Sequence, residues 1–187
     1  MKIIGITGYA GSGKSTIAKI LKSLGYSVVD LDKVGHEILK EKKVKEKLKS
    51  VFGEFIFEKG EIKRDRLSEI VFKNNDKLEL LNNILHPIIK EKVKEKIKKI
   101  NKEIVFIDGA LIEKIGLDEI CDYIIFVESS EENRLKRLTE LRKMPLWKAE
   151  KIINSQKKLK YKYNFKIVNN NGLYTIKNEL LKILHKI

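Results

Sequence analysis

Lys2-Ile3-Ile4-Gly5-Ile6-Thr7 runs directly into Gly8-Tyr9-Ala10-Gly11-Ser12-Gly13-Lys14-Ser15-Thr16, the most informative junction in the chain. The first six residues form a short, nearly unbroken apolar run, as expected of a strand buried on both faces. The next stretch fits G-x-x-x-x-G-K-[ST], with Gly8 and Gly13 as the spaced glycines and Lys14 and Ser15 closing it. Ile17-Ala18-Lys19-Ile20-Leu21 then starts a helix. In that order the glycines let backbone N–H groups turn inward around phosphate oxygens, and the helix N-terminus adds partial positive charge. Gly11, Ser12, Gly13 and Thr16 supply the cradle. Lys14 is placed to reach the β- and γ-phosphates, and the Ser15 hydroxyl to ligate Mg²⁺. The junction therefore predicts a nucleoside triphosphate site.

Length and composition bound the rest. A chain of 187 residues supports one well-buried core and is too short for two ordinary domains. No window approaches the ~18–20 continuous apolar residues of a membrane span. With a strand starting at Lys2, no signal peptide is expected, and a single cysteine, Cys121, suits a reducing cytoplasm and a core position. The formal charge is +14. Most lysines lie in Lys/Glu-mixed stretches, Lys40–Lys49 and Lys90–Lys102, which read as solvated helix faces. The arginines cluster instead: Arg64 and Arg66, then Arg134, Arg137 and Arg142. That grouping fits planar, bidentate recognition of phosphate. A basic surface also suits nucleic acid, but aromatic residues make up only 7% and do not alternate with the basic clusters as stacking platforms would. Neither a nucleic acid nor a membrane is expected as partner, and a monomer is favoured.

Further strand-like runs occur at Tyr26–Leu31, Glu103–Asp108, Tyr123–Glu128 and Phe165–Asn169, with helical periodicity between them. This alternation predicts an α/β fold of the P-loop NTPase type, a parallel five-stranded sheet flanked by helices, within a single domain over 1–187. The wide spacing between the second and third strands holds helical patterns at Val34–Ser50, Arg66–Asn74 and Leu78–Asn101, a helical insert over 33–101. Residues 131–163 form a second expansion, with Arg134, Arg137 and Arg142 followed by a helix over Trp147–Lys160; an arginine-bearing lid is expected there.

Candidate chemistry lies at the strand ends. In Val28-Val29-Asp30-Leu31-Asp32, alternate residues of an extended chain point the same way, so both carboxylates are able to face one site. Asp32, further out, fits a group that orients an acceptor hydroxyl and takes its proton; it equally fits an N-cap for a helix starting near Lys33. Asp108 closes Val105-Phe106-Ile107-Asp108, a position suited to holding Mg²⁺ through water, and one that ordinary turn chemistry before Gly109 also explains. Pro87 should hold His86 extended and start a new helix. His36 and His185 carry no partner pattern, and no His/Cys metal spacing is present.

With these residues in place, the chain resembles the dephospho-CoA kinases along almost its whole length. Ile6-Thr7-Gly8 to Thr16 is similar to that family's opening, and Asp30-Leu31-Asp32 to its Asp-x-Asp. Gly60-Glu61-Ile62-Lys63-Arg64 with Leu67 and Val71-Phe72, Leu85-His86-Pro87-Ile88, Leu111-Ile112-Glu113, Ser155-Gln156 and Asn169-Asn170-Asn171-Gly172 follow its later positions. The resemblance implies transfer of the ATP γ-phosphoryl group to the ribose 3′-hydroxyl of dephospho-CoA, with Mg²⁺. By motif position, the resemblance implies Asp32 as the base or hydroxyl-orienting group, with Thr7, Arg64, His86 and Asp108 on the acceptor side and Asn171 in the ATP site. Arg142, together with Arg137, comes from the lid to neutralise transferring phosphate. Two departures stand out. Gly109-Ala110-Leu111 replaces the family's Pro-Leu-Leu, and the arginine pair in Arg137-Leu138-Thr139-Glu140-Leu141-Arg142 is spaced one residue wider. The nearest rival, a P-loop kinase for a nucleoside monophosphate or small metabolite, shares Lys14 and Ser15 but does not call for His86-Pro87 with Arg64.

Overall fold

The five apolar runs pair into one parallel sheet. The computed structural model describes residues 1–157 and 159–187, in the order β1 (Lys2–Gly8), α1 (Lys14–Ser23), β2 (Ser27–Asp30), α2 (Leu31–Ile38), α3 (Lys42–Phe52), β3 (Phe57–Glu58), β4 (Glu61–Ile62), α4 (Arg64–Phe72), α5 (Asn75–Lys98), β5 (Ile104–Asp108), α6 (Ile112–Ile115), β6 (Tyr123–Glu128), α7 (Glu131–Lys136), a π-helical turn (Arg137–Leu141), α8 (Leu146–Gln156), β7 (Phe165–Val168) and α9 (Leu173–Leu184). Two compact units result: Met1–Asp30 with Ile100–Ile187, and Leu31–Lys99.

In the first unit the strand order is β2-β5-β1-β6-β7, all parallel. Alternation along each strand sends Ile4, Ile6, Phe106, Ile125, Val127 and Ile167 to one face, where Ile17 and Leu21 of α1 and Ile176, Leu180 and Ile183 of α9 bury them. The opposite face is also covered. Ile112 of α6 and Cys121 crowd Gly5, and Tyr161 and Tyr163 pack on Phe126. Burial on both faces is why the strands read as unbroken apolar runs rather than alternating ones. The parallel register puts Ile6, Asp108 and Asp30 side by side at the carboxyl edge. With β5 on one side of β1 and β6 on the other, the phosphate loop leaves the sheet at its switch point, where such sheets bind ligands.

The second unit is helical apart from the β3–β4 hairpin, which the sequence reading did not anticipate. Its turn has positive φ at both Lys59 and Gly60 (48° and 76°), the conformation that matches strand twist in a two-residue hairpin loop. Arg66 stitches the hairpin: its guanidinium donates to the carbonyls of Phe55 and Phe57 (3.4 and 2.9 Å) and to Glu58 (3.0 Å).

Three local expectations are corrected. Val34–Ser50 is two helices, because buried Leu31, Val34 and Ile38 and buried Val44 and Leu48 are out of helical phase; tight bonds from Lys40 N–H to Glu37 and Glu41 N–H to Ile38 (3.0 Å each) turn the chain between them. Pro87 does not start a new helix, for α5 runs through it as one 24-residue helix. An interior proline costs ~3 kcal/mol. Buried Ile84 on one side and Ile89, Val93 and Ile97 on the other, at ~1.5–3 kcal/mol each, hold the helix through the defect. Finally, the helix expected over Trp147–Lys160 ends at Gln156; Lys158 lies outside the described residues.

Candidate active site

The loop between β1 and α1 is shaped by its glycines and closed by its lysine. Gly13 caps α1 in the left-handed region (φ 104°), and a Cβ there would overlap the Asn169 amide. Gly11 (φ 75°) lies so close to the Arg134 backbone that a Cβ would sit 2.8 Å from its carbonyl oxygen. Lys14 Nζ folds back across the loop and donates to the carbonyls of Gly8 (2.8 Å) and Tyr9 (2.9 Å). The Ser12 hydroxyl is fully buried and finds no hydrogen-bond partner among the described residues, so Ser12 serves the loop through its backbone. Ser15 is exposed and Thr16 half-buried in the first turn of α1.

Around the loop the structure gathers residues far away in sequence. Arg134 Nε donates to the Ala10 carbonyl (2.9 Å) and its guanidinium lies 4.5 Å over the Tyr9 ring. Arg137 donates to the carbonyls of Gly11 (3.1 Å), Ser12 (3.3 Å) and Asn169 (2.8 Å) and to the Ser129 hydroxyl (3.0 Å). Asn169 Nδ2 donates to the Ser12 carbonyl (2.7 Å). Burial draws both guanidinium pKa values below the ordinary one. Arg137 thus bonds the loop from the β7 side in this structure, alongside the role of neutralising transferring phosphate that the resemblance implies for it. Arg142, one residue past the π turn, is exposed. Its N–H bonds the Arg137 carbonyl five residues back (3.2 Å), so the extra residue between the two arginines is absorbed as a π turn.

The remaining expected residues fall as follows. Thr7 is 1% exposed at the end of β1, enclosed rather than presented to solvent. Asp108 and Asp30 are half-buried neighbours in register at the sheet edge. β2 ends at Asp30 and α2 begins at Leu31, so Asp32 is exposed in the first helical turn: neither strand alternation with Asp30 nor an N-cap at Asp32 applies. Arg64 is exposed in the first turn of α4, and His86 half-buried within α5. Asn171 is exposed, its carbonyl accepting from Thr175 (3.3 Å). Arg134, Gln156 and Asn169 were visible in sequence only as members of motifs; their contact with the loop was not.

A family model described as dephospho-CoA kinase matches residues 2–175. The chain belongs to the dephospho-CoA kinase family. It is 44% identical over 155 residues to a dephospho-CoA kinase of Fusobacterium nucleatum, covering 82% of this chain and 80% of that one. It shares 30% identity and a TM-score of 0.73 with the structure of the dephospho-CoA kinase from Campylobacter jejuni, over 100% and 97% of the two chains. A Thermus thermophilus crystal structure, TT1252, superposes with a TM-score of 0.85 at 26% identity, over 99% and 96%. Among the described residues no helix is long and apolar enough to cross a membrane, and no group of three or more His, Cys, Asp or Glu side chains is poised to hold a metal.

Proposed function

We propose that the chain phosphorylates the ribose 3′-hydroxyl of dephospho-CoA with ATP, giving coenzyme A and ADP. The observation that carries this reading is a formed phosphate loop, with Lys14 across its mouth, in a chain whose family match spans nearly its full length. The loop from Gly11 to Thr16 takes the ATP phosphates, with Asn171 in the segment beside it. Lys14 trades its carbonyl partners for β- and γ-phosphate oxygens, which are stronger acceptors for an ammonium. Phosphoryl transfer needs little covalent help, so positioning and charge stabilisation supply most of the rate. Asp32 takes the proton of the attacking 3′-hydroxyl as the new O–P bond forms and the bond to the β-phosphate oxygen breaks. Arg64 and His86 belong to the acceptor side, in the helical unit read as the acceptor-binding insert.

Residues 131–163 form the lid, and exposed Arg142 supplies its phosphate-facing charge. Mg²⁺ arriving with the nucleotide suits an oxygen-only donor set: the exposed Ser15 hydroxyl directly and Asp108 through water. When bound, Mg²⁺ neutralises charge on the β- and γ-phosphates. The enzyme acts on small, soluble substrates, in keeping with a cytoplasmic location.

The deciding assay is ADP release with and without dephospho-CoA, for the wild type and Asp32→Asn. Strong dependence on dephospho-CoA, with turnover reduced ~10²–10⁴-fold in the variant, supports the reading. No stimulation by dephospho-CoA, with stimulation by a nucleoside monophosphate, would replace it with the rival kinase.

A further inference from the structure

A loop that turns its N–H groups toward phosphate turns its carbonyls outward, and each carbonyl then needs a donor from the protein. Here every one from Tyr9 to Gly13 has one besides Lys14. The Ser12 N–H serves Tyr9 (3.2 Å); Arg134 serves Ala10; Arg137 serves Gly11 and Ser12; Asn169 adds a second bond to Ser12; the Thr16 N–H serves Gly13 (2.9 Å). The Ala10 N–H, like that of Ser12 on the Tyr9 carbonyl, is bonded within the protein: it donates to Gln156 Oε1 (3.0 Å), and the same oxygen accepts from Arg134 (2.7 Å). Arg134 comes from α7 and Gln156 is the last residue of α8, so both ends of the arginine-bearing segment close on a single loop residue. The ring of Tyr9, under the Arg134 guanidinium, joins Phe126 and Tyr161 edge-on at 5.2 and 5.5 Å, giving the clamp a rigid apolar backing.

We infer that Arg134 and Gln156 are positioning residues that hold the phosphate loop in its ATP-binding shape by fixing both backbone polar groups of Ala10. Neither needs to touch nucleotide. Arg134 is 4% exposed, and its Nε and one terminal nitrogen are already committed to the Ala10 carbonyl and to Gln156. Without the clamp the Ala10 peptide can rotate, and the loop must be ordered by ATP itself, which weakens binding.

The inference rests on the kinase reading only in taking ATP as the loop's ligand. Its test is therefore calorimetric binding of a non-hydrolysable ATP analogue to the full chain without acceptor, alongside steady-state kinetics and thermal melts. Gln156→Leu removes the acceptor shared by two donors, one of them charged, and should weaken analogue binding ~10–100-fold. The KM for ATP should rise in step, while the KM for dephospho-CoA changes less than about twofold. Gln156→Glu keeps an oxygen for both donors and pairs with the guanidinium, so it should recover most of the affinity. Arg134→Met should match Gln156→Leu, and the double variant should be little worse than either alone. Unchanged analogue affinity in Gln156→Leu overturns the inference. So does equal loss of both substrates with no rescue by glutamate, which marks a merely structural residue. If the analogue results hold but dephospho-CoA fails to stimulate turnover, the acceptor assignment falls and the clamp stands.

Discussion

Replacing Gly13 with alanine tests how the phosphate loop is held. Gly13 sits at φ 104°, ψ 21°, and forcing an L-residue into left-handed backbone costs ~1–2 kcal/mol. The new Cβ would also overlap Nδ2 of Asn169, with Cγ only 3.2 Å away, while the Asn169 Cβ at 3.9 Å is an ordinary contact. The amide must therefore move and give up its 2.7 Å bond to the Ser12 carbonyl, a buried interaction whose loss costs ~1–3 kcal/mol. The sum is ~2–5 kcal/mol, or a fall in Tm of ~5–20 °C for a chain of this size. Thermal melts and urea titrations of Gly13→Ala, Asn169→Ala and the double variant separate the two parts. Asn169→Ala removes the clashing atoms, so in that background Gly13→Ala should cost only the backbone strain, leaving a coupling of ~1–3 kcal/mol. An equal cost of Gly13→Ala in both backgrounds would refute the steric part of the reasoning, and a cost below ~1 kcal/mol in the wild type would refute all of it.

Two further outcomes follow from the same structure. Pro87→Ala restores an N–H to the middle of α5 and should raise stability by ~2 kcal/mol, while lowering turnover and raising the KM for dephospho-CoA if the His86-Pro87 segment lines the acceptor; a lower Tm would contradict the continuous-helix account. Burial, then the neighbouring Asp118 and Asp122, push the Cys121 thiol up to about 12, and it donates to the Leu117 carbonyl (3.2 Å). It should resist thiol reagents at pH 8 until the protein unfolds. Because the unfolded chain loses this proton at lower pH than the native one, stability should fall as pH rises from the ordinary thiol value of 9.0 toward about 12; Cys121→Ala should flatten that slope, and an unchanged slope would exclude the thiol as its source.

The order strand, phosphate loop, helix was legible because all of it is local: apolar runs of strand length, glycines where φ is positive, a lysine and hydroxyl at fixed offsets. The same holds for Asp108 at the end of β5 and for the five-stranded parallel sheet, whose two-sided burial leaves unbroken apolar runs. Where local signals compete, they mislead. Pro87 carries a strong breaking signal, yet packing on both sides of it keeps α5 whole, and a helix starting at Leu31 rather than Lys33 takes Asp32 out of the cap. The arginines show the same boundary from the other side. Their clustering pointed to phosphate, and Arg142 is exposed, but Arg134 and Arg137 donate to loop carbonyls 124 to 126 residues away. Spacing within a strand or a turn is set by covalent geometry and backbone sterics, so sequence alone determines it. Which distant donor meets a given carbonyl depends on how β6, β7, α7 and α8 stack around the loop, and that is decided only when the whole sheet closes.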